Sequence, residues 1–365
     1  IDKKKKQFNA FIGLAGIKDY QIFWQGLSNN NELKDNELQI SNGLNYILSR
    51  SKLKKFKWLD TGTNESYLDT LNFFNDNTLR KPNACTYIGN GKVIKFFTEK
   101  SKVIKLKNRS KNLKGFSPKS VNARSNYFFY NFAEGKLLSE LKMTDFVHLI
   151  DQMHKKFWKI KKNINFKKFK KSCLNFYKNK TISRIDDLLN QRIVNDNLRY
   201  INNYKVLKIN DLLKKINWDR LSLGIPSNFH GDFQPENIVM KNKQITLIDW
   251  REDFDGNETV GDIYYDFAKL EHALIVNGEI IRNKKYSVKI KNNKVEYKIA
   301  SKSNLVNFRN YFHKYLIQNG YDINKVKLLS SLIYLNIAPL HDYPYNELLF
   351  YHGKLSLTKI LNRDK

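Results

Sequence analysis

Cysteine is scarce in this sequence of 365 residues, which contains only Cys85 and Cys173. Two cysteines so far apart support neither a disulfide framework nor a structural zinc site, and we expect a reducing, cytoplasmic setting. No apolar run reaches the roughly 18–20 residues that a membrane-spanning helix needs. The first residues do not have the pattern of a signal peptide, so we expect none in this sequence. Its first residue is Ile1, and we expect the sequence to begin inside a longer protein.

Acidic residues are also few, with 35 Asp and Glu against 65 Lys and Arg and a formal net charge of +30. Such a charge suits a polyanion, either nucleic acid or an acidic membrane surface. Lysine and asparagine are abundant everywhere, however, which indicates a general residue bias and makes nucleic-acid binding the disfavoured interpretation. The segment Lys155–Lys171 alternates lysine with Phe, Trp and Ile. It predicts a surface helix with one buried stripe, the alternative being a helix lying on a membrane.

Residues 84–132 have the pattern of strands and one helix. Ala84–Ile88 and Lys92–Phe97 are rich in β-formers, and Gly89-Asn90-Gly91 between them predicts a hairpin turn. A helix is expected over Glu99–Leu113. An aromatic strand, Tyr127–Phe132, follows.

From Gly135 onward the pattern is mainly helical. Two hairpins interrupt it, and two helices of ordinary length follow: hairpin Ile238–Met240 with Gln244–Ile248, hairpin Lys285–Ile290 with Lys294–Ile299, and helices Asn304–Asn319 and Ile323–Ile337. The hydrophobic fraction of 41% suffices to bury a core. A β-rich block before a mainly helical block predicts a two-lobed α+β protein.

The strongest chemical signal is HGDFQPEN at 230–237, followed by LIDW at 247–250. Because a hairpin returns the chain to its start, Asn237 and Asp249 are expected to meet at its open end, and Asp232 can face the same cavity. Asn237 and Asp249 offer oxygen ligands of the kind Mg²⁺ prefers. Asp232 is then free to orient a hydroxyl nucleophile. Phosphoryl transfer needs this division of labour.

This segment resembles the catalytic loop of the aminoglycoside phosphotransferase and choline kinase family, relatives of the protein kinases. The resemblance implies a bilobal protein-kinase-like fold with ATP and Mg²⁺ as cofactors. It implies that Asp232 is the catalytic base, that Asn237 and Asp249 are the metal ligands, and that His230 has a structural role rather than that of a general base.

A second segment, GDIYYDFAKL at 261–270, is similar to the Gly-Asp…Asp-Leu-Ala segment of the same family. Phe267 stands where leucine is usual. By this resemblance Asp262 and Asp266 would anchor the catalytic loop.

A kinase-like fold needs a strand lysine for the nucleotide phosphates. Lys95 in VIKFF is the candidate, and the alternative for it is an ordinary solvent-facing strand lysine. Lys105 competes with it, although its segment is interpreted as helical. In such a fold the acidic partner of this lysine comes from the helix that follows the strand. Glu99 is the only carboxylate in that predicted helix, which makes it the candidate partner. YNFAEGKLLSE at 130–140 resembles the segment that joins the two lobes, which implies that the backbone near Phe132 and Ala133 contacts adenine.

The first 80 residues carry another resemblance. Trp58-Leu59-Asp60-Thr61-Gly62-Thr63 is similar to a late segment of the sugar-1-phosphate nucleotidyltransferases, which have a Rossmann-like α/β fold. The Gly-rich nucleotide fingerprint is absent, so we expect a C-terminal remnant of such a domain without that activity. The alternative is a small accessory subdomain. A helix is predicted over Asn64–Phe74, capped by Thr63 or Asn64.

These patterns predict three regions: a nucleotidyltransferase-like remnant at 1–80, a small nucleotide-binding lobe at 81–134 and a helical catalytic and acceptor-binding lobe at 135–365. The expected activity is phosphorylation of a hydroxyl on a sugar, amino sugar or amino alcohol. Its role would be to supply polysaccharide precursors, with a partner or upstream nucleotidyltransferase domain. A net charge of +30 disfavours polycationic aminoglycosides as acceptors. His341-Asp342-Tyr343 either lines the acceptor pocket or lies on a surface loop.

Two alternatives to a small-molecule kinase remain at this point. One is a non-catalytic basic scaffold with a kinase fold that binds nucleic acid or an anionic membrane. The other is a protein kinase, which is disfavoured because Trp250-Arg251-Glu252 follows Asp249 without a Phe-Gly pair or a recognisable activation segment.

Overall fold

The computed structural model describes residues 13, 15–29, 33–34, 37–54, 58–73 and 83–362. The chain divides into two compact units, Ile1–Thr78 and Leu79–Lys365. Phe74, the last residue of the helix predicted near the N-terminus, lies outside the described residues, as does most of 1–14. The region boundaries expected after residues 80 and 134 stay predictions.

The first unit is built on two packed helices. Its elements are α1 (Tyr20–Asn29), β1 (Leu33–Lys34), β2 (Glu37–Leu38), α2 (Ile40–Ile47) and α3 (Asn64–Phe73). Phe23, Leu27 and Ile47 form its small core. The α3 helix is capped by Thr63, whose Oγ1 accepts a hydrogen bond from the Ser66 amide at 3.1 Å. The nucleotidyltransferase-like origin of this unit stays a prediction.

The second unit begins with a four-stranded antiparallel sheet and one helix. Its strands pair in the order β3-β4-β6-β5. They are β3 (Ala84–Gly89), β4 (Lys92–Phe97), β5 (Asn122–Arg124) and β6 (Tyr127–Asn131), with helix α4 (Lys100–Ser110) after β4. The predicted hairpin is confirmed, and Asn90 and Gly91 both take positive φ values, as a two-residue hairpin loop requires. Strand β5 was not predicted.

The rest of the second unit is mainly helical, so the predicted two-lobed α+β architecture is confirmed. Its helices are α5 (Met143–Gln152), α6 (Phe166–Leu174), α7 (Lys180–Asn190), α8 (Ile209–Lys214), α9 (Trp218–Leu221), α10 (Ile263–Ile275), α11 (Gly278–Arg282), α12 (Ser303–Gln318), α13 (Ile323–Ile337) and α14 (Tyr345–Leu361). Helix α10 is buried along almost its whole length and packs against α13. It therefore forms the centre of this lobe, and its polar side chains are buried in the protein interior.

Short sheets position the loops of the helical lobe. The strands are β7 (Lys136–Leu137), β8 (Tyr200–Ile201), β9 (Tyr204–Lys205), β10 (Pro226–Ser227), β11 (Ile238–Lys241), β12 (Gln244–Leu247), β13 (Gly261–Asp262), β14 (Tyr286–Lys291) and β15 (Lys294–Ile299). Both predicted hairpins, β11-β12 and β14-β15, are confirmed. Strand β7, which directly follows the segment between the lobes, pairs with β11. This pairing ties the lobe connection to the hairpin that carries the candidate site.

The basic segment Lys155–Lys171 is not the single helix that its pattern predicted. A π-helical turn, Met153–Phe157, continues α5 and ends at Phe157. Ile160 then pairs with Ser227 in an isolated β-bridge, and α6 begins only at Phe166. The Asn165 side chain caps α6 by accepting from the Lys168 amide at 3.0 Å. A pairing with a residue far along the chain therefore overrides the local helical pattern. Within the described residues, no helix has the length and apolar character needed to cross a bilayer.

Candidate active site

The predicted site residues Asp232, Asn237 and Asp249 lie together at the open end of the β11-β12 hairpin. The Ile248 amide donates to the Asn237 carbonyl at 2.9 Å, which closes the hairpin one residue before Asp249. The Asn237 side-chain amide donates to the Asp232 backbone carbonyl at 2.9 Å and to its Oδ2 at 3.0 Å. The hairpin geometry inferred from the sequence thus places all three at one site.

Asp249 receives two side chains from the small-lobe sheet. The Lys95 ammonium, on β4, forms an ion pair with Asp249 Oδ1. The Tyr130 hydroxyl, on β6, donates to the same oxygen at 3.3 Å. Asp249 has a φ of 57°, a left-handed conformation that is uncommon for a residue other than glycine and is concentrated at functional sites. Both lobes therefore contribute to one constellation centred on Asp249.

Lys105, the competing phosphate lysine, lies on helix α4 and contacts a different carboxylate. Its ammonium donates to Asp253 Oδ2 at 2.7 Å, and this contact raises the pKa of Lys105. Glu99 lies exposed at the start of α4, while Lys95 pairs with Asp249. The pairing of Lys95 with Glu99 considered from the sequence is therefore wrong. Helix α4 has no carboxylate between Lys100 and Ser110, and the ammonium of Lys95 pairs with Asp249 instead.

The Asp232 carboxylate has a partner that the sequence analysis missed. Lys269, buried on helix α10, places its ammonium 2.7 Å from Asp232 Oδ1. Burial raises the pKa of Asp232, but the nearby charge of Lys269 outweighs it and holds that pKa at about 2. Lys269 lies seven residues after Asp262 within the GDIYYDFAKL segment. A lysine between Ala268 and Leu270, in a stretch rich in apolar and aromatic residues, was the available signal.

His230 connects the two halves of the site. Its Nε2 contacts the Ile248 carbonyl at 2.9 Å, and its Nδ1 accepts from the Asp232 amide at 3.2 Å. Burial lowers the pKa of the imidazole to about 4, so the ring is neutral at physiological pH. Both ring nitrogens are engaged with backbone groups. These contacts give His230 the structural role that the resemblance implied.

The two aspartates of the GDIYYDFAKL segment anchor different stretches of chain. Asp266 accepts from the His230 amide at 2.8 Å and from the Gly231 amide at 2.7 Å. Asp262 instead accepts from the Ile225 amide at 2.9 Å and from the Tyr177 hydroxyl at 2.8 Å. Asp266 therefore holds the catalytic loop directly. Asp262 holds the chain that leads into it.

A buried arginine ties helix α4 to the start of the catalytic loop. The Arg109 guanidinium donates to the Phe229 carbonyl at 2.6 Å and lies 3.7 Å from the centre of the Phe229 ring. Burial lowers the pKa of Arg109 to about 10, which leaves it charged. The sequence analysis did not single it out, because its helix is rich in basic residues. Trp250 makes a parallel link by donating to the Leu106 carbonyl at 3.0 Å.

The segment between the lobes, where the sequence predicted adenine contacts, follows β6. The Phe132 amide already donates to the Gly91 carbonyl at 2.8 Å, and the Phe132 side chain is 47% exposed. The Phe132 carbonyl and the Ala133 backbone are then the groups to consider for adenine. His341 and Asp342 both lie exposed in the turn before α14, as the surface-loop alternative held.

The oxygen atoms available for a cation come from two residues. Asp249 Oδ1 is engaged by Lys95 and Tyr130, and the Asn237 amide nitrogen faces Asp232. Asp249 Oδ2 and Asn237 Oδ1 are the remaining oxygens. In the part of the chain that the structure describes, no three His, Cys, Asp or Glu side chains converge as a metal site. A two-residue set fits Mg²⁺, which commonly takes its other ligands from substrate phosphates and water.

Comparison with solved structures finds kinases and phosphotransferases among the similar chains. Similar solved structures include a Plasmodium vivax ethanolamine kinase, 14% identical, with a TM-score of 0.40 and coverage of 90% of this chain and 95% of that chain. A choline kinase from Cryptosporidium parvum Iowa II is 10% identical, with a TM-score of 0.41 and coverage of 83% and 97%. An aminoglycoside phosphotransferase mutant in complex with AMP-PNP and hygromycin B is 11% identical, with a TM-score of 0.44 and coverage of 82% and 98%.

No protein-family model and no curated protein matches the chain. The assignment of the fold therefore depends on the chain's own elements. Lys95, on a strand of the antiparallel sheet of the small lobe, forms an ion pair with Asp249. Asp249 follows the β11-β12 hairpin of the helical lobe. The second unit is a two-lobed α+β structure whose lobes meet at Asp249. This agrees with the fold that the sequence resemblance implied.

Proposed function

We propose that this chain is an ATP- and Mg²⁺-dependent phosphotransferase that phosphorylates a hydroxyl group of a small molecule. The observation that carries the proposal is the ion pair between Lys95 of the small lobe and Asp249 of the helical lobe, next to an independent carboxylate, Asp232. One carboxylate is placed for a metal–phosphate centre and the other for the acceptor. Phosphoryl transfer catalysis consists largely of such positioning and charge stabilisation.

Each predicted residue has a role in this proposal. Lys95 binds the α- and β-phosphates of ATP, and Asn237 and Asp249 hold Mg²⁺. When bound, Mg²⁺ neutralises charge on the phosphate oxygens. Nucleotide binding moves the Lys95 ammonium from a carboxylate to phosphate oxygens. The backbone of Ala133 and the Phe132 carbonyl receive the adenine ring.

Asp232 acts on the acceptor. Its carboxylate accepts a hydrogen bond from the acceptor hydroxyl and aligns that oxygen with the γ-phosphorus. The bond from the acceptor oxygen to the γ-phosphorus forms while the bond from that phosphorus to the ADP oxygen breaks, and the hydroxyl proton passes to Asp232. Because Lys269 holds the pKa of Asp232 at about 2, the carboxylate is a weak base. Its main contribution is orientation, and the proton leaves late in the reaction.

A two-part experiment tests this function. Calorimetry with AMP-PNP should detect binding that strengthens when Mg²⁺ is added. ATP consumption should then be measured against sugars, amino sugars, polyols and their phosphates, uronic acids, choline, ethanolamine and aminoglycosides. We expect Mg²⁺-dependent turnover with one acceptor class, abolished by EDTA. Absence of AMP-PNP binding by the folded protein would contradict the proposal.

The pairing of Asp232 with Lys269 predicts a shift in the pH profile. In Lys269→Met, burial acts without the opposing charge, so the pKa of Asp232 rises. Asp232 is active only when ionised, and in this variant it becomes protonated at a higher pH than in the wild type. We expect the acid limb of kcat/KM to move to higher pH than in the wild type, and Lys269→Arg to reverse most of that move. Coincident acid limbs in all three proteins would contradict this role of Lys269.

We further propose that the product is a precursor of a cell-surface polysaccharide. The support is the resemblance of Trp58–Thr63 to sugar-1-phosphate nucleotidyltransferases. A partner or upstream domain of that kind would convert the sugar phosphate into a nucleotide-activated donor.

A further inference from the structure

Three basic side chains of the helical lobe lie together beside the catalytic loop without a carboxylate partner. They are Lys180 and Arg184 on helix α7 and Arg251, two residues after Asp249. Arg184 donates to the Asn336 carbonyl at 2.8 Å, and Arg251 donates through Nε to the Asp253 carbonyl at 3.0 Å. Among the described residues, none of the three forms an ion pair. We call these three residues the cationic cluster.

Two members of the cluster lie over the aromatic ring of Phe176. The Lys180 ammonium lies 4.4 Å and the Arg251 guanidinium 4.9 Å from the centre of the Phe176 ring. The Tyr265 ring packs edge-on against Phe176 at 4.8 Å. Arg184 follows Lys180 by four residues on α7, so both occupy the same helix face. Aromatic faces attract cations and thereby help to hold these charges side by side.

Holding these basic side chains together is unfavourable in the free protein. Burial, together with the positive charges of Arg251, Arg184 and Lys269, lowers the pKa of Lys180 to about 6, so its ammonium form is disfavoured until an anion lies beside it. Two carboxylates act on the cluster without pairing with it: Glu252, which lies 3.7 Å from the Lys102 ammonium of helix α4, and Asp187 on helix α7. Perturbed basic groups gathered in a partly buried place are a feature of functional sites.

The cluster adjoins the acceptor side of the catalytic loop. The Arg251 amide donates to the His230 carbonyl at 3.0 Å, and a Cβ at Gly231 would come within 2.6 Å of the Arg251 Cβ. Asp232 is the next residue, and its partner Lys269 lies one helical turn after Tyr265 on α10. Lys95 and Tyr130 reach Asp249 from the small-lobe sheet, whereas the cluster belongs entirely to the helical lobe.

We propose that the cationic cluster binds an anionic group on the acceptor, so that the substrate is a hydroxyl compound that also carries a phosphate or a carboxylate. This inference rests on the proposed phosphotransferase function and names its substrate class. A guanidinium fork binds either oxyanion through paired hydrogen bonds, and Lys180 adds a point charge because a bound anion favours its protonated form. The anion offsets the mutual repulsion of the cluster. Its docking beside Gly231 then presents a hydroxyl of the same molecule to Asp232.

Thermal unfolding tests the site with inorganic phosphate and with acetate as separate probes, in the presence of saturating AMP-PNP and Mg²⁺ and at constant ionic strength set with chloride. AMP-PNP occupies the nucleotide phosphate sites, so the remaining shift reports the cluster. We expect at least one probe to raise the melting temperature of the wild type by about 2 °C or more. A shift with phosphate alone indicates a phosphorylated acceptor, and a shift with acetate indicates a carboxylated one.

Lys180→Gln should abolish that shift, and Lys167→Gln is the matched control. Lys167 is an exposed lysine on α6, so the same replacement there leaves the cluster untouched. Because Lys180→Gln removes a side chain whose charged form is disfavoured in the free protein, the ligand-free variant should melt at the same or a higher temperature than the wild type, which shows that it folds. No shift in the wild type, or an equal shift in Lys180→Gln, overturns the proposal.

The acceptor panel separates this inference from the function on which it rests. Turnover of an anionic acceptor, with a KM raised about tenfold or more in Lys180→Gln and unchanged in Lys167→Gln, supports both. Turnover of choline, ethanolamine or a neutral sugar in preference to anionic compounds upholds the kinase and overturns the anionic acceptor. Absence of AMP-PNP binding contradicts the kinase, whereas loss of the phosphate or acetate shift in Lys180→Gln would still establish the anion site.

Discussion

Asp232→Asn should lower kcat by about a thousandfold or more while the protein stays folded. Asparagine keeps the size of the side chain and its position beside Asn237, but it removes the charge that, in the proposed function, aligns the acceptor hydroxyl and accepts its proton. Loss of a positioned base typically lowers a rate by about 10²–10⁴. The assay is ATP consumption with the acceptor identified in the panel. Thermal unfolding monitors the fold, because the buried Lys269 ammonium loses its partner.

Asp186→Asn is the matched control for this replacement. Asp186 is an exposed aspartate on helix α7, and the same chemical change there should leave kcat unaltered. Near-normal turnover in Asp232→Asn would refute the role assigned to Asp232 in the proposed function. The proposed site would then have to be sought elsewhere in the second unit.

Lys95→Met should lower kcat/KM for ATP by about a hundredfold or more. The replacement removes the positive charge that the small-lobe sheet delivers to Asp249, at the place proposed for the nucleotide phosphates. A single preorganised donor to developing charge is typically worth about 10²–10³ in rate. Methionine retains most of the side-chain volume, so the sheet should remain intact. Initial rates at varied ATP concentration, with circular dichroism for the fold, provide the measurement.

Lys105→Met distinguishes the two candidate lysines. Lys105, on α4 of the small lobe, forms a partly exposed ion pair with Asp253 of the helical lobe. Such a pair contributes about 0–1 kcal/mol to stability. We expect kcat/KM for ATP to stay within about threefold of the wild type. If Lys105→Met lowered kcat/KM for ATP as much as Lys95→Met, the assignment of Lys95 as the phosphate-binding lysine would be wrong. If neither replacement changed kcat/KM, Lys95 would not belong to the proposed nucleotide site.

The sequence predicted most of the elements that depend on short-range chemistry. Asn90-Gly91 and Asn292-Asn293 permit the positive φ values of tight hairpin turns, so the hairpins around them were found with nearly correct bounds. The alternation and spacing of apolar residues likewise indicated α12 and α13. Strands β5, β8 and β9 escaped notice because two or three residues carry too little periodicity to stand out.

The candidate site divides in the same manner. HGDFQPEN and LIDW lie on one hairpin and its flanks, so the grouping of Asp232, Asn237 and Asp249 follows from local connectivity. The Lys269 ammonium meets Asp232 only because helix α10 packs beneath the catalytic loop. Arg109 reaches Phe229 across 120 positions of sequence. In a chain with 65 basic residues, composition does not distinguish these few buried cations from the many solvated ones.

By itself, the sequence determined the two-lobed architecture, the hairpins and the grouping of Asp232, Asn237 and Asp249, because turn propensity, apolar spacing and chain connectivity act over a few residues. Tertiary structure alone decided which cation meets which carboxylate. It paired Lys95 with Asp249, Lys105 with Asp253 and Lys269 with Asp232, and it gathered the cationic cluster without a carboxylate. The physical reason is that electrostatic partnership depends on distance and burial in the folded chain, and neither is encoded within a local segment.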